Sequence, residues 1–184
     1  MNALVQTSRP SGGMPASAQA AQEPTQYLTF MLAREVFATG ILGIKEIIEY
    51  HSLTEVPMMP ASVRGVINLR GAVVPVMDLL ARFGRPPSEI TKRSCIVIVE
   101  VATGEEHQVI GVMVDAVNEV LDIAPADIEP PPAFGAHIRS DFIHGMGKVQ
   151  GKFVILLDLD QVLSIDQPNP RGPAIAETGT PVPA

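Results

Sequence analysis

The chain has 184 residues, a formal net charge of −7, one cysteine and no tryptophan. That length holds one ordinary domain or two very small ones and can bury a core without staples, while a lone cysteine permits no intramolecular disulfide. The acidic balance argues against a nucleic-acid partner, because phosphate contacts need clustered Lys and Arg, and six Phe with two Tyr supply no evident stacking platform for single strands.

In chain order, residues 1–24 are rich in Ala, Ser, Gln and Gly and carry few large apolar side chains, which reads as a disordered tail. They have neither a basic start nor a continuous apolar stretch, so they do not read as a signal peptide, and no apolar run approaches the ~20 residues that span a bilayer. A cytoplasmic protein is expected. From residue 25 the texture changes to short Val, Ile and Leu runs punctuated by Gly, Pro and charge, the signature of short strands and turns. Strands are predicted over 27–32, 63–69, 73–77, 95–101, 109–114 and 153–157. A short helix is predicted over 44–48, where Ile41, Ile44 and Ile47 recur at a spacing of three and would form one apolar stripe with Glu46 off it. Gly71 and Gly151 mark hairpin turns, and Pro75, which cannot donate to a ladder, places its strand at an edge or a bulge. Asp78 and Asp158 each precede a short apolar run and read as N-caps of brief helices. Cys95 opens the run Cys95-Ile-Val-Ile-Val99 and is expected to be a buried thiol. Residues 167–184 are again rich in Pro, Ala and Gly and read as a second disordered tail.

Internal repetition is the most informative feature. Arg64-Gly-Val-Ile-Asn-Leu-Arg-Gly-Ala-Val-Val-Pro-Val-Met-Asp-Leu79 aligns with His144-Gly-Met-Gly-Lys-Val-Gln-Gly-Lys-Phe-Val-Ile-Leu-Leu-Asp-Leu159, with Gly65/Gly145, Gly71/Gly151, Val74/Val154, Asp78/Asp158 and Leu79/Leu159 identical. A second echo pairs Ile44-Lys-Glu-Ile-Ile-Glu49 with Val117-Asn-Glu-Val-Leu-Asp122. Two copies of one strand-turn-strand-helix plan, roughly 25–90 and 91–166 with strands open to exchange between them, point to a mainly β protein of two related small barrels.

The segment Gly65-Val-Ile-Asn-Leu-Arg-Gly-Ala-Val-Val-Pro-Val-Met-Asp-Leu79 resembles the hallmark of the CheW family of chemotaxis coupling proteins, G-x-x-N-L-R-G-x-x-x-P-x-x-D-L. The resemblance continues through Tyr27-Leu-Thr-Phe30, residues 41–49, Gly111-Val-Met-Val-Asp115, Ile128-Glu-Pro-Pro-Pro132 and residues 154–163, and covers roughly 26–165. It implies two SH3-like five-stranded β-barrel subdomains side by side with a few short helices, and a scaffold without catalysis. It further implies two partners, the cytoplasmic helical hairpin of a chemoreceptor and the regulatory barrel domain of the histidine kinase CheA, with association to membrane receptor arrays through them. An adaptor of a pilus-based or other chemosensory pathway carries the same signature; a small-ligand-binding barrel is the competing class.

Arg70 is the leading candidate contact: a guanidinium on a hairpin tip is always charged and offers a fork of donors, set against the plain reading of a solvated turn arginine. With the resemblance, Ile41, Ile44, Glu46, Asn68, Arg70, Val117 and Val120 are the expected receptor-facing residues, and Leu53, Val56, Arg64 and Gly65 the expected kinase-facing end. For Gly65 the alternative is relief of crowding where strands close the barrel. No cofactor or metal is expected, since His51, His107, His137 and His144 lack ligand spacing and Cys95, inside an apolar strand, is a poor nucleophile. Gly145-Met-Gly147-Lys-Val-Gln-Gly151 fits no phosphate loop and reads as a hairpin. Asp115, Glu119 and Asp122 read as a solvated face.

Overall fold

The computed structural model describes residues 23–131 and 138–164. The tail segments 1–22 and 165–184, together with His137 and Pro132, lie outside the described residues. Among the described residues eleven strands make two sheets: β1 (Thr25–Leu32), β2 (Glu35–Gly40), β3 (Ile44–Glu49), β4 (Val63–Leu69), β5 (Ala72–Asp78), β6 (Cys95–Thr103), β7 (Glu106–Val114), β8 (Ala116–Ile123), β9 (Ile128–Glu129), β10 (Ile143–Val149) and β11 (Lys152–Leu157). One sheet runs β8-β1-β2-β11-β10-β9 and the other β3-β6-β7-β5-β4. Two single-turn helices, α1 (Leu79–Arg82) and α2 (Leu159–Val162), follow β5 and β11. The chain is mainly β, with two SH3-like subdomains.

The two copies of the repeat trade hairpins. β1 and β2 of the first copy pair with β8 and β11 of the second, and β6 and β7 of the second pair with β3 and β5 of the first. Each sheet is thus built from both halves of the chain. The matched elements keep matched irregularities: β4 against β5 slips between Val63 and Gly65, and β10 against β11 slips between Ile143 and Gly145. Both hairpins turn on two residues of positive φ, Arg70-Gly71 (51° and 87°) and Gln150-Gly151 (50° and 77°), the geometry that matches strand twist.

Four readings need correction. Residues 44–49 are strand, not helix: inner positions Ile44, Glu46 and Ile48 alternate with outer Lys45, Ile47 and Glu49, and a bulge between Ile44 and Glu46 inserts Lys45. β5 is not an edge strand; Pro75 stands one residue before its three-residue parallel ladder with β7 begins at Val76, where no donor is required of it. Gly145 and Gly147 lie inside β10 rather than in a turn, because a Cβ there would meet Ile128 Cγ2 at 2.6 Å and Ile123 Cδ1 at 3.0 Å. Cys95 is half-buried, its thiol 3.4 Å from the Arg93 carbonyl oxygen.

The central core joins the sheets: Leu28, Phe30 and Leu32 of β1, Val97, Val99 and Val101 of β6, and Ile110 and Val112 of β7 pack with Leu79, Phe142 and Val162. Phe30, Phe37, Phe83 and Phe142 form a chain of ring contacts 6.1–6.3 Å between centroids through it. Two smaller clusters fill the barrels, one around Ile67, Val76, Ile96 and Met113, the other around Tyr27, Ala38, Ile123 and Leu156. Arg82 bridges the halves, donating from Nε to Val162 O (2.9 Å) and from Nη2 to Ser164 O (2.7 Å), with its guanidinium 5.5 Å above the Phe142 ring. Both predicted caps form: Asp78 accepts from Leu80 N and Ala81 N, Asp158 from Gln161 N.

Candidate protein-docking site

The tip of the β4–β5 hairpin holds Arg70 in the left-handed region at φ 51°, which costs a non-glycine residue about 1–3 kcal/mol and persists only where the surroundings fix it. Two bonds do so. Asn68 Oδ1 accepts from Gly71 N at 2.8 Å, closing the turn. The Arg70 guanidinium grips the Glu46 carboxylate in a fork, Nη1 to Oε1 at 2.8 Å and Nη2 to Oε2 at 3.0 Å. β3 and β4 are the outermost strands of their sheet, so this pair ties one edge to the tip beside the other and helps close the barrel. A bridge between Thr54 and Val66 closes it lower down. Arg70 remains 78% exposed and Glu46 26%, so the guanidinium keeps its other N–H donors for an incoming group.

Around the pair, charge and apolar surface alternate. Lys45 Nζ reaches Glu100 Oε2 at 2.7 Å, and that hydrogen bond, with the lysine's charge, holds the Glu100 carboxyl below its usual range. Ile47, on the outer face of β3, and Val73, cross-strand from Asn68, are exposed. Ile41, Ile44 and Val117 are half-buried against the central core, while Val120 is exposed on β8. The sequence-predicted residues therefore divide. Glu46, Asn68 and Arg70 come together; Ile41, Ile44 and Val117 serve the core at least in part.

At the other expected surface, Arg64 is engaged internally, Nη1 donating to the buried Asp78 at 3.0 Å, and Leu53 packs against the cluster around Ile67. Gly65, at φ 156°, leaves no room for a side chain: a Cβ would stand 2.6 Å from Thr54 O. Only Val56 of that set is exposed, next to Met58 and Met59, which sequence reasoning passed over. Nothing in linear spacing signals those methionines, nor the union of Glu46 with Arg70 across 24 residues. Asp115 is not part of a solvated face: Oδ2 accepts from Ala33 N at 2.7 Å and Oδ1 is buried without a partner. Among the described residues no group of three or more His, Cys, Asp or Glu could hold a metal.

Two joined barrels, carrying on their outside a charged clasp beside exposed apolar side chains, define a protein-binding scaffold. Comparison narrows the class. Residues 26–167 match the CheW-like domain, and the chain belongs to that family. It is 33% identical over 142 residues to the chemotaxis protein CheW of Rhizobium meliloti, covering 77% of this chain and 89% of that one, and 28% identical over 142 residues to CheW of Klebsiella aerogenes, covering 77% and 83%. The scaffolding protein TtCheW from Thermoanaerobacter tengcongensis superposes with a TM-score of 0.70 at 36% identity, over 78% of this chain and 94% of that one. The protein is a chemotaxis scaffold. No described helix is long and apolar enough to cross a membrane.

Proposed function

We propose that this scaffold couples the cytoplasmic helical hairpin of a chemoreceptor to the regulatory barrel domain of the histidine kinase CheA, without chemistry of its own, as part of a membrane-associated receptor array. The observation that carries the reading is the Arg70–Glu46 clasp. The equivalent hairpin tip carries neutral Gln150 at φ 50°, so the turn itself requires neither an arginine nor an ion pair, and an exposed pair stabilises a fold by only about 0–1 kcal/mol. A partner contact accounts for a charge held at that tip.

The receptor face is assigned to Arg70, Glu46 and Asn68, with Ile41, Ile44, Val117 and Val120 as its apolar members, as an amphipathic helix laid in a groove requires. The kinase face is assigned to the end bearing Leu53, Val56, Arg64 and Gly65, where Val56 supplies the accessible apolar surface and Arg64 and Gly65 hold the backbone. Regulation follows if the scaffold contacts two kinase conformations unequally, since a ligand shifts an equilibrium only by its differential affinity.

Pull-downs with a receptor cytoplasmic fragment and with the kinase regulatory domain test both assignments. Arg70→Asp should lose the receptor fragment and keep the kinase domain; Val56→Asp should do the reverse. Wild-type protein that captures neither partner refutes the function, and an Arg70→Asp protein that still captures the receptor fragment refutes the site.

A further inference from the structure

The fold sorts the methionines of the chain. Among the described residues Met77 and Met113 are buried and Met31 and Met146 half-buried, whereas Met58 and Met59 are exposed, Met58 wholly so. The exposed pair lies in the connection from β3 to β4, beside Val56, the accessible apolar residue of the kinase face. From Val56 to Val63 this connection carries no charge. Three exposed apolar side chains therefore fall within four residues, with Glu55 and Arg64 at the margins.

The segment is held at both ends. Thr54 and Val66 exchange backbone hydrogen bonds of 3.0 and 2.8 Å, and Val63 N donates to Pro60 O at 2.8 Å. Pro57 and Pro60 bracket the methionines and restrict the backbone on either side. Pro57 and Met58 form a turn in which Met58 takes φ 65°, a conformation that favours glycine or asparagine after proline. The Met58 side chain, fully exposed, adds no packing to the fold that holds it there. A restrained backbone that presents long, unbranched, polarisable side chains suits an apolar hollow on a partner, because little freedom is lost on docking.

We propose that Met58 and Met59 are a reversible oxidation site that controls docking of the kinase regulatory domain. The inference rests on the kinase face assigned above and adds its regulation. Unlike Val56 beside it, a thioether becomes a polar, chiral sulfoxide by two-electron oxidation, with the backbone untouched. With a peroxide as oxidant, the sulfur lone pair attacks one peroxide oxygen. An S–O bond forms as the O–O bond breaks, and sulfur gives up two electrons. The departing hydroxide takes the proton of the transferred hydroxyl and leaves as water. The sulfoxide oxygen then needs hydrogen-bond donors that an apolar hollow lacks, so the kinase domain is released. Burial keeps Met77 and Met113 from the same reaction, so the packing around them is spared.

The experiment treats full-length protein with hydrogen peroxide, removes the oxidant, and measures affinity for the kinase regulatory domain and for the receptor fragment. Peptide mapping by mass spectrometry should find Met58 and Met59 oxidised ahead of Met77 and Met113. The Kd for the kinase domain should rise about tenfold or more while that for the receptor fragment stays unchanged, and methionine sulfoxide reductases A and B should reverse the rise. Met58→Leu combined with Met59→Leu keeps the apolar surface, so this double variant should bind the kinase domain like wild type both before and after peroxide. Bound kinase domain should shield both methionines from the oxidant. Oxidised wild type that holds the kinase domain as tightly as reduced protein overturns the proposal, and so does a double variant that loses binding on oxidation. A fall in melting temperature that matches the loss of binding assigns the loss to unfolding and overturns it too. Reduced wild type that fails to bind the kinase domain refutes the kinase face itself, and this proposal with it.

Discussion

Asp78 and Asp158 show how two identical residues, in identical backbone settings, carry unequal energetic weight. Asp78→Ala removes a helix cap and also strands Arg64 and Ser88 in a closed site, so a loss of about 3–5 kcal/mol is expected in urea unfolding. Among the described residues Asp158 accepts from Gln161 N alone, so Asp158→Ala removes a cap and should cost about 1 kcal/mol. Two glycines divide in the same way. Gly71→Ala, at φ 87° with open space around it, should lose about 1 kcal/mol by conformational strain, whereas Gly65→Ala must also displace the Thr54 carbonyl and should lose about 3 kcal/mol or more. Thermal melts of both variants, checked against wild type, measure the difference.

At the level of elements, the strands rich in Val and Ile were legible because β-branched runs bounded by Gly and Pro mark them directly. β3 was not. Ile44 and Ile47, with Ile41 in the 3-10 turn just before the strand, match a helical period, but the residue half-buried along with Ile44 is Ile48, and Ile47 faces outward. β10 escaped because Gly145 and Gly147 depress its strand signal, and their reason for being there is contact with β8 and β9, which no local pattern contains. The repeat alignment nevertheless paired β3 with β8 correctly as equivalents, since relative spacing survives when the element type is misread. Of the candidate site, Arg70, Glu46 and Asn68 were legible as individual residues, their mutual bonds were not. Charge on these elements has a pH signature. Hydrogen bonds from Lys45 and Arg139 hold Glu100 and Asp141 below the usual carboxylate range, so the folded form has the lower pKa. The stabilisation is present above that range and is lost as pH falls through the folded values. Both groups are exposed and the effect is small; melting temperature measured against pH should fall less steeply on the acid side in Lys45→Gln than in wild type.

For the molecule as a whole, the exchange of hairpins makes each sheet depend on both halves. Calorimetry should record one unfolding transition with equal calorimetric and van't Hoff enthalpies, not two. Cut at residue 90, each fragment would expose the strand edges that its sheet partners cover, and neither should show a cooperative melt alone; mixing the two should restore one. Arg82, reaching across to Val162 and Ser164, sits on that dependence, and Arg82→Ala should lower the single transition without splitting it.

The traded hairpins also say something about what a tandem arrangement gains. A single copy of this plan could complete its sheets only by lending a hairpin to a second chain and borrowing one back, an association that fades on dilution. Joining the copies in one polypeptide replaces that bimolecular step with an intramolecular one, so closure no longer depends on how much protein is present. It also releases the twins from symmetry: arginine at 64 and 70 can stand opposite histidine at 144 and glutamine at 150, and one molecule can show different faces to different neighbours.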